Sequence, residues 1–282
     1  MSKNIPIWKK CLRSSLEVLI KYWPWTENRL HPIKLLRLFP RRAIIERRGV
    51  QFLVDPEDFA QFRIFEFADS ADFDFFERIW QPGDIVIDLG ASCGIYSLIA
   101  AKNIGPKGRV YAFEPSETSF KFLVDNIFLN RFKNIHALHC AIADFRGSAP
   151  FYLSGDINRG RSSMSPVITS SAYKVNVIFT TLNKFTEEYN IDQIDFLKVD
   201  VQGAEYKVLK GAENLLKLGR IRKIYMELHT MELQALGADK KLCLKKLQKY
   251  GKVQVLDSGR LRALTNSDFK QTEIKIYWEK YE

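Results

Sequence analysis

From residue 84 onward, short apolar runs alternate with longer segments in which apolar residues recur every three or four positions. Short apolar runs are typical of buried strands, and the three-to-four spacing is typical of helices. The pattern therefore predicts strands that alternate with helices. The predicted strands are 84–89, 109–113, 134–140, 194–199, 223–228, 253–256 and 273–278, and the predicted helices are 95–103, 117–130, 205–217 and 241–250.

This alternation predicts parallel strands that are joined by right-handed crossovers. The fold class that follows is α/β, with a doubly wound, mainly parallel, seven-stranded Rossmann-like sheet and an N-terminal helical extension. The last strand can pair antiparallel to its neighbour. In such a sheet, ligands bind at the carboxyl ends of the strands, near the first crossover.

The pattern differs in the first eighty residues. Residues 7–23 place apolar side chains on one side of a helix and charged ones on the other, and Pro24 ends that helix. Residues 52–80 carry eight of the twenty phenylalanines, which indicates either a cap over the ligand site or a hydrophobic layer over the sheet edge. We therefore divide the chain into a basic amphipathic helical arm (1–50), a Phe-rich cap (51–80) and a ligand-binding domain (81–282).

Positive charge is concentrated in the arm. Residues 1–50 contain twelve Lys/Arg and three Glu, so that +9 of the total formal charge of +10 lies there. Trp8 and Trp23 at the two ends of a helix with a basic face suit a membrane interface. The arm can equally pack on its own domain or on a second subunit. Nucleic acid ranks last, because basic arms that bind it are usually less aliphatic.

The sequence also bears on the compartment. No uncharged apolar run approaches the roughly 18 residues of a membrane-spanning helix. The four cysteines are far apart and show neither a disulfide framework nor a metal-binding spacing. We expect a cytoplasmic protein with peripheral membrane contact through residues 1–50, and we leave the oligomeric state open.

The strongest motif follows the first predicted strand, where the sequence reads Asp88-Leu89-Gly90-Ala91-Ser92-Cys93-Gly94. A dinucleotide site would require G-x-G-x-x-G for a pyrophosphate, whereas here an acid leads and the third glycine is missing. S-adenosylmethionine (SAM) has no phosphate, and an acid near the strand end favours its ammonium group. Glu114 ends the second strand, twenty-four residues after Gly90, where its carboxylate can accept hydrogen bonds from both ribose hydroxyls. Together these features predict a SAM site.

Four stretches, 83–115, 139–152, 194–212 and 224–229, resemble the FkbM family of SAM-dependent methyltransferases. The most family-specific stretch is DVQGAE followed by VLKGA, after the fourth strand. The resemblance implies a class I methyltransferase sheet and an O-methyltransferase that acts on hydroxyls of sugars, polyketides and related small or glycan-borne acceptors. It implies that the cofactor-binding residues are Asp88, Gly90, Ala91, Ser92, Gly94 and Glu114, with an adenine-side contact from Ala141 to Asp144. Ser92 departs from the family, whose members often have Asn there.

A sugar hydroxyl is a poor nucleophile and benefits from a general base. The candidates are Asp200, Glu205 and His229, at the carboxyl ends of the fourth and fifth strands. We expect His229 to be the base and Asp200 to orient the substrate or the histidine; alternatively, His229 is structural and the two acids stabilise a helix N-terminus. Only Asp200 clearly stands where catechol-type enzymes hold Mg²⁺, so we expect no required metal.

The acceptor is less well defined. The Ser/Gly-rich segment 154–173, with Arg159 and Arg161, can form a substrate loop or a solvated connection. No N-P-P-Y or D-P-P-Y run occurs, which disfavours methylation of amino groups. Two alternatives to a small-molecule or glycan O-methyltransferase stay open: an RNA methyltransferase that uses the basic arm, and a SAM-binding protein without catalysis.

Overall fold

The computed structural model describes residues 42–55, 58, 61, 68–155, 159–166 and 172–282. Most of the predicted arm, up to residue 41, lies outside these ranges. Its last part is not helical, because β1 (Ala43–Arg47) pairs antiparallel with β2 (Val50–Val54). Arg48 and Gly49 join the two strands with φ values of +50° and +68°, as a tight hairpin turn requires. The boundary predicted at residue 50 therefore falls inside a hairpin.

The other described helices and strands follow the predicted alternation. They are α1 (Ala71–Ile79), β3 (Ile85–Leu89), α2 (Ile95–Ile104), β4 (Arg109–Phe113), α3 (Glu117–Leu129), β5 (Ile135–Leu138), β6 (Ala141–Ile142), β7 (Gly147–Leu153), β8 (Tyr173–Thr180), α4 (Leu182–Glu188), β9 (Ile194–Val199), α5 (Glu205–Gly211), α6 (Glu213–Lys217), β10 (Ile221–His229), α7 (Thr230–Ala235), α8 (Lys240–Gln248), β11 (Gly251–Asp257), β12 (Arg260–Arg262) and β13 (Glu273–Lys280). No helix within the described ranges is long and apolar enough to cross a membrane.

The described residues form a central sheet of eight strands in the order β12-β11-β13-β10-β9-β3-β4-β5. The strands from β10 to β5 are parallel, and β13 lies antiparallel between β10 and β11. This arrangement confirms the doubly wound fold and the antiparallel last strand. The eighth strand is β12, which is too short to give a recognisable apolar run. The chain runs from β3 outward through β4 to β5 and later crosses to β9 on the other side of β3, which opens a crevice at the carboxyl end of β3.

The helix that the pattern predicts over 205–217 is instead two short helices, α5 and α6, which meet at Ala212. Gly211 ends α5, and a side chain there would collide with the carbonyl oxygen of Ala143. Glycine is also a poor helix former, so the break coincides with the residue that local packing requires to be small.

The described part of the Phe-rich region packs as a hydrophobic layer. Phe73 and Phe76 of α1 are fully buried and contact the rings of Tyr96 and Tyr225, which lie beneath them. Phe52, on β2, is also fully buried. The phenylalanines at 59, 62, 65 and 67 lie outside the described residues.

A second, smaller sheet was not foreseen. β7 pairs antiparallel with β8, and β6 pairs parallel with β8. This three-stranded sheet occupies the interval between β5 and α4, which includes the Ser/Gly-rich segment 154–173. Phe151 and Phe179 form part of its apolar core.

Candidate functional site

The loop after β3 turns the chain sharply from the sheet into α2. Gly90 has a φ of +79°, and its N–H and that of Ala91 donate to the carbonyl of Phe113 at 3.0 and 2.9 Å. A Cβ at Gly90 would collide with the carbonyl oxygen of Asp200. Glycine at this position therefore lets the ends of β3 and β9 approach each other. Gly94, with a φ of +98°, stands at the start of α2.

Glu114 follows β4 and is buried beside this loop. Its Oε2 accepts a hydrogen bond from the N–H of Ser92 at 2.7 Å, and its Oε1 accepts one from the N–H of Ser116 at 2.8 Å. Burial raises the pKa of Glu114 to about 7, although the two N–H groups oppose the shift. A carboxylate can accept up to about four hydrogen bonds, so both oxygens keep the capacity to bind a ligand.

Loop and carboxylate open onto one cleft at the carboxyl edge of the central sheet. The small sheet forms the opposite wall, because the aromatic rings of Phe151 and Phe179 also face the cleft. The polar lining residues are Ser92, Glu114, Ser119, Ser162, Asp200 and Gln202, and the apolar ones include Leu89, Phe113, Ile142, Phe151, Met164 and Phe179. An apolar cleft with a few convergent polar groups is the usual form of a small-molecule site.

Asp88 lies beneath the loop and does not line the cleft. Its carboxylate, 1% exposed, accepts a hydrogen bond from Ser97 Oγ at 2.6 Å and lies 2.9 Å from Lys198 Nζ. Lys198 in turn donates to the carbonyl oxygen of Gly90 at 2.8 Å. Although burial lowers it, the carboxylates of Asp88 and Asp200 raise the pKa of Lys198 above its usual value. Asp88 therefore acts on the loop through a buried lysine.

The ends of β9 and β10 bring together the three residues that the sequence proposed for catalysis. Gln202 Nε2 donates to Asp200 Oδ1 at 2.8 Å and lies 2.8 Å from His229 Nε2. His229 Nδ1 lies 2.9 Å from Glu205 Oε1, which also accepts from the N–H of Gly203 at 2.9 Å. Glu205 is completely buried, whereas the Asp200 side chain is 27% exposed. Only Asp200 of the three lines the cleft.

The surroundings of His229 favour its charged form. Burial lowers the pKa of this imidazole, but the hydrogen bond to Glu205 and the charges of Asp200 and Glu227 raise it to about 10. An imidazolium has no free nitrogen to accept a proton at neutral pH. The contact with Gln202 is then a hydrogen bond only when the amide turns its oxygen toward the ring, and the two ends of an amide have nearly the same shape.

Two further carboxylates, which the sequence analysis did not include in the site, border this group. The hydroxyl of Tyr225 donates to Glu227 Oε1 at 2.6 Å, and Glu273 Oε2 lies 3.8 Å from His229 Nε2. Burial and the charges of Asp200 and Glu273 raise the pKa of Glu227 to about 7. Period-two alternation along β10, which puts residues 225, 227 and 229 on one face, is a signal that could have found Glu227. Nothing local in the sequence pairs Glu273 with His229, which are partners across β10 and β13.

Comparison with known proteins places the chain in a family. Residues 88–253, more than half of the chain, match the methyltransferase FkbM domain. The chain belongs to this family. The match begins at Asp88 and covers the β3 loop, Glu114 and the Asp200–His229 group, so both halves of the site lie within the family's domain.

Individual FkbM-family relatives are distant. The chain is 28% identical over 157 residues to "Methyltransferase sdnD" of Sordaria araneosa, a stretch covering 45% of this chain and 60% of that protein. It is 27% identical over 179 residues to the "31-O-demethyl-FK506 methyltransferase FkbM" of Streptomyces tacrolimicus, covering 54% and 68%. It is 26% identical over 155 residues to the "Hexuronic acid methyltransferase AglP" of Haloferax volcanii, covering 53% and 57%. The similarity thus spans about 60% of the length of these relatives.

The remaining residues proposed from the FkbM resemblance divide into two groups. Ala141, at the start of β6, lines the cleft next to Ile142. Asp144 instead forms ion pairs with Lys207 and Lys210, and its pKa is lowered because these two charges outweigh the effect of burial. The adenine-side contact at Ala141 therefore stays a prediction, and the Asp144 carboxylate lies in a lysine pair outside the lining.

The segment 154–173 of this FkbM-family chain contributes partly to the cleft. Gly160, Ser162 and Met164 line it. Arg161 is directed to an ion pair with Glu232, with 3.7 Å between Nη2 and Oε1. The side chain of Arg159 lies outside the described residues. The connection between β7 and β8 is therefore a wall of the cleft where it is described.

Proposed function

We propose that this FkbM-family protein is a SAM-dependent O-methyltransferase that acts on a hydroxyl of a sugar, a glycan or another small molecule. The observation that carries the proposal is that Glu114 and Asp200 face the same cleft from the ends of β4 and β9. In this proposal Glu114 binds the ribose of the cofactor, and Asp200 binds the hydroxyl of the acceptor.

The residues of the cleft fit SAM. Glu114 is held by two backbone N–H groups and keeps acceptor capacity for the ribose hydroxyls. Gly90 allows the close approach of the loop, and the apolar rings of Phe113 and Phe179 provide a surface for adenine. SAM would supply an activated methyl group, whose transfer to a hydroxyl forms an O–C bond, breaks an S–C bond and releases the hydroxyl proton.

The chain's own residues then have distinct tasks at the acceptor end. Asp200, the exposed member, accepts the hydrogen bond of the acceptor hydroxyl and takes its proton. His229, held through its Nδ1 by Glu205, lies with its Nε2 3.9 Å from Asp200 Oδ1 and stabilises the negative charge of that carboxylate. In this scheme Glu205 is a positioning residue, since it is completely buried and contacts His229.

Two relatives support oxygen as the atom that is methylated. These proteins are named as methyltransferases of 31-O-demethyl-FK506 and of a hexuronic acid. The cleft itself is lined by serine, glutamine and carboxylate groups together with aromatic rings. Such a lining suits a polyhydroxylated molecule, whose hydroxyls need acceptors and donors and whose C–H faces pack on aromatic rings.

The cofactor is tested by calorimetric titration of S-adenosylhomocysteine into the wild type and Glu114→Ala. Loss of a charge-assisted contact to the ribose should weaken binding by about 10- to 150-fold, equivalent to roughly 1.5–3 kcal/mol. Glu117→Ala is the matched control, because Glu117 is an exposed acid three residues away that pairs only with Lys121 among described residues. A folded wild type that does not bind, or equal losses in both variants, would overturn the SAM assignment.

The acceptor class is tested with radiolabelled SAM against uronic acids, neutral sugars, glycolipids and RNA oligonucleotides. We expect label in an alkali-stable methyl ether of a hydroxyl-bearing small molecule or glycan, and loss of transfer in Asp200→Asn with cofactor binding retained. Label that appears only in RNA would instead establish the nucleic-acid alternative. The same assay with vesicles added tests the expected membrane contact of residues 1–50, since a membrane-bound acceptor would raise the rate.

A further inference from the structure

The ends of β10 and β13 hold a group of side chains that cofactor binding leaves unexplained. Asp200, Glu227 and His229 each place one potential ligand atom so that the three atoms lie within 4.8 Å of one another. Glu273 adds a fourth, with its Oε2 3.8 Å from His229 Nε2. Donor atoms that bind one ion at about 2.0–2.3 Å are roughly 3–4.5 Å apart. Side-chain shifts of a few tenths of an ångström, together with rotation of the Gln202 side chain that now lies between Asp200 and His229, would enclose a cation.

The orientation of His229 is that of a metal ligand, provided that the cation displaces the proton from Nε2. Its Nδ1 lies 2.9 Å from Glu205 Oε1, while its Nε2 points toward Asp200 and Glu273 at 3.9 and 3.8 Å. Histidines that bind metals nearly always donate the other ring N–H to a carboxylate or carbonyl, which fixes the ring and the tautomer. Glu205, completely buried and anchored by the N–H of Gly203, is such a partner.

Charge around this group is unbalanced toward the negative. The two lysines on the same side of the sheet are each engaged by an aspartate: Lys198 lies 2.9 Å from Asp88, and Lys275 lies 2.9 Å from Asp72. Lys198 also lies 4.0 Å from Asp200, and Lys275 is the cross-strand partner of Glu227. These two lysines and His229 are nevertheless outnumbered by the carboxylates of Asp72, Asp88, Asp200, Glu205, Glu227 and Glu273. Carboxylates gathered at a partly buried site repel one another unless a cation is bound between them.

Glu227 supplies independent support. The side chain is nine-tenths buried, and Oε1 accepts the hydroxyl of Tyr225 at 2.6 Å. Among the described residues no donor is recorded for the other oxygen, Oε2, although one oxygen of Glu227 lies within 4.8 Å of ligand atoms of Asp200 and His229. An oxygen of Glu227 that no described donor engages is available to a cation beside Asp200 and His229.

We propose that Asp200, Glu227 and His229, with Glu273 at the rim, bind one divalent cation of the Mn²⁺/Mg²⁺ class, which holds the oxygen of the acceptor hydroxyl. The donor set of carboxylates and one imidazole suits Mn²⁺ best among the ions that prefer oxygen. The role in catalysis rests on the proposed function, because an ion at Asp200 would acidify an acceptor hydroxyl bound in the same cleft. This proposal replaces the expectation that no metal is required, which rested on Asp200 as the one clear candidate ligand at this edge of the sheet.

Gln202 is compatible with an ion. Its amide nitrogen now lies between Asp200 Oδ1 and His229 Nε2, 2.8 Å from each, so a donor group occupies the space between the two ligands. Rotation of the side chain would vacate that space or present the amide oxygen, which is itself a ligand for hard cations. The φ of Gln202 is +49°, which keeps this residue on a tight turn above the group.

The test is a titration of the full chain with Mn²⁺, in which the electron paramagnetic resonance signal of the free ion reports binding. The affinity for S-adenosylhomocysteine is measured in parallel. We expect one saturable equivalent in the wild type. Glu227→Gln and His229→Gln each remove a proposed metal ligand. Loss of a side chain that only supports a ligand lowers metal affinity by roughly 10- to 100-fold, so each variant should lose at least that much Mn²⁺ affinity. Glu227→Gln should leave S-adenosylhomocysteine affinity unchanged, since Glu227 does not line the cofactor cleft. Glu187→Gln, an exposed carboxylate on α4, is the matched control.

Each outcome decides a different point. Cofactor binding without saturable Mn²⁺ binding would overturn the metal site and leave the proposed function standing. Mn²⁺ binding that is equally weakened in Glu187→Gln would also overturn it, since the loss would not come from the group. If the wild type binds Mn²⁺ and the Glu227 and His229 variants weaken it, but the protein fails to bind S-adenosylhomocysteine, the metal site would be retained and the proposed function overturned. Circular dichroism of each variant confirms that the fold is kept.

Discussion

The two halves of the carboxyl edge are built differently. The half formed by β3 and β4 is local: a loop of five residues and one carboxylate, Glu114, joined by a hydrogen bond to Ser92. The half formed by β9, β10 and β13 gathers charged side chains from positions between 200 and 273. The first half therefore offers a ligand mainly backbone groups and the one carboxylate of Glu114, whereas the second half offers several titratable side chains. A binding function therefore suits the first, and a chemical function suits the second.

Lys198 lies on the boundary between the halves, and its loss should have the largest effect. Its Nζ is 2.9 Å from the buried Asp88 and donates to the carbonyl of Gly90. Lys198→Met would leave a buried carboxylate without its partner and should cost about 3–5 kcal/mol of unfolding free energy in urea titration. Asp88→Asn in the same chain should recover much of this loss.

Lys184→Met is the control for that comparison. Lys184 forms an exposed pair with Glu187, and removal of such a pair should change stability by less than about 1 kcal/mol. A cost for Lys198→Met that is no larger than the control would show that the two halves do not depend on a shared buried ion pair.

Gly90→Ala tests how closely the halves must approach. The added Cβ would collide with the carbonyl of Asp200 and would sit at a φ of +79°, so both overpacking and backbone strain contribute. We expect a loss of about 3 kcal/mol in unfolding free energy and no detectable binding of S-adenosylhomocysteine. Gly219→Ala has a similar φ of +64° but open space around it, so it should show only the strain of roughly 1–2 kcal/mol. Equal costs would mean that the β3–β9 approach does not need glycine.

The charge of Glu114 should make cofactor affinity depend on pH. Its pKa of about 7 in the free protein means that the carboxyl is mostly protonated at pH 6 and mostly ionised at pH 8. If the ribose hydroxyls bind the ionised form, affinity for S-adenosylhomocysteine should fall about tenfold from pH 8 to pH 6. Calorimetry at both values checks the slope, and Glu114→Gln should abolish it. A slope that persists in Glu114→Gln would assign the titration to another group.

The contrast also explains which parts of the molecule the sequence could predict. The β3 loop and Glu114 lie within twenty-seven residues of one another, and the apolar runs of β3, β4 and β9 are buried on both faces, so pattern and motif agree. Glu273 comes to His229 only through the pairing of β10 with β13, which no local pattern specifies, whereas Glu227 shares a face of β10 with His229. The small sheet was missed because exposed residues interrupt the buried positions of β7 and β8, so that neither strand forms a continuous apolar run. The motif predicted that Asp88 contacts the ligand, whereas its carboxylate pairs with buried Lys198 on the neighbouring strand β9, which is far away along the sequence.

The smallest expected effect concerns Ser92, the position where FkbM-family members often have Asn. Ser92 has a φ of +51°, a conformation that Asn tolerates better than Ser, and its N–H already donates to Glu114. Ser92→Asn should therefore raise unfolding free energy by about 0.5 kcal/mol in urea titration, a change typical of a relieved backbone position. The added amide would also stand at the cleft, so affinity for S-adenosylhomocysteine should rise by a few-fold.

Ser258→Asn separates these two contributions, because Ser258 has nearly the same φ, +49°, in the exposed turn between β11 and β12. It should give the same gain in stability with no change in affinity. If Ser92→Asn raises stability and leaves affinity at the wild-type value, the side chain at this position does not touch the cofactor, and the first half of the edge binds through its backbone and Glu114. If affinity rises while stability does not, the amide contacts the ligand directly, and the departure of this chain from its family weakens cofactor binding.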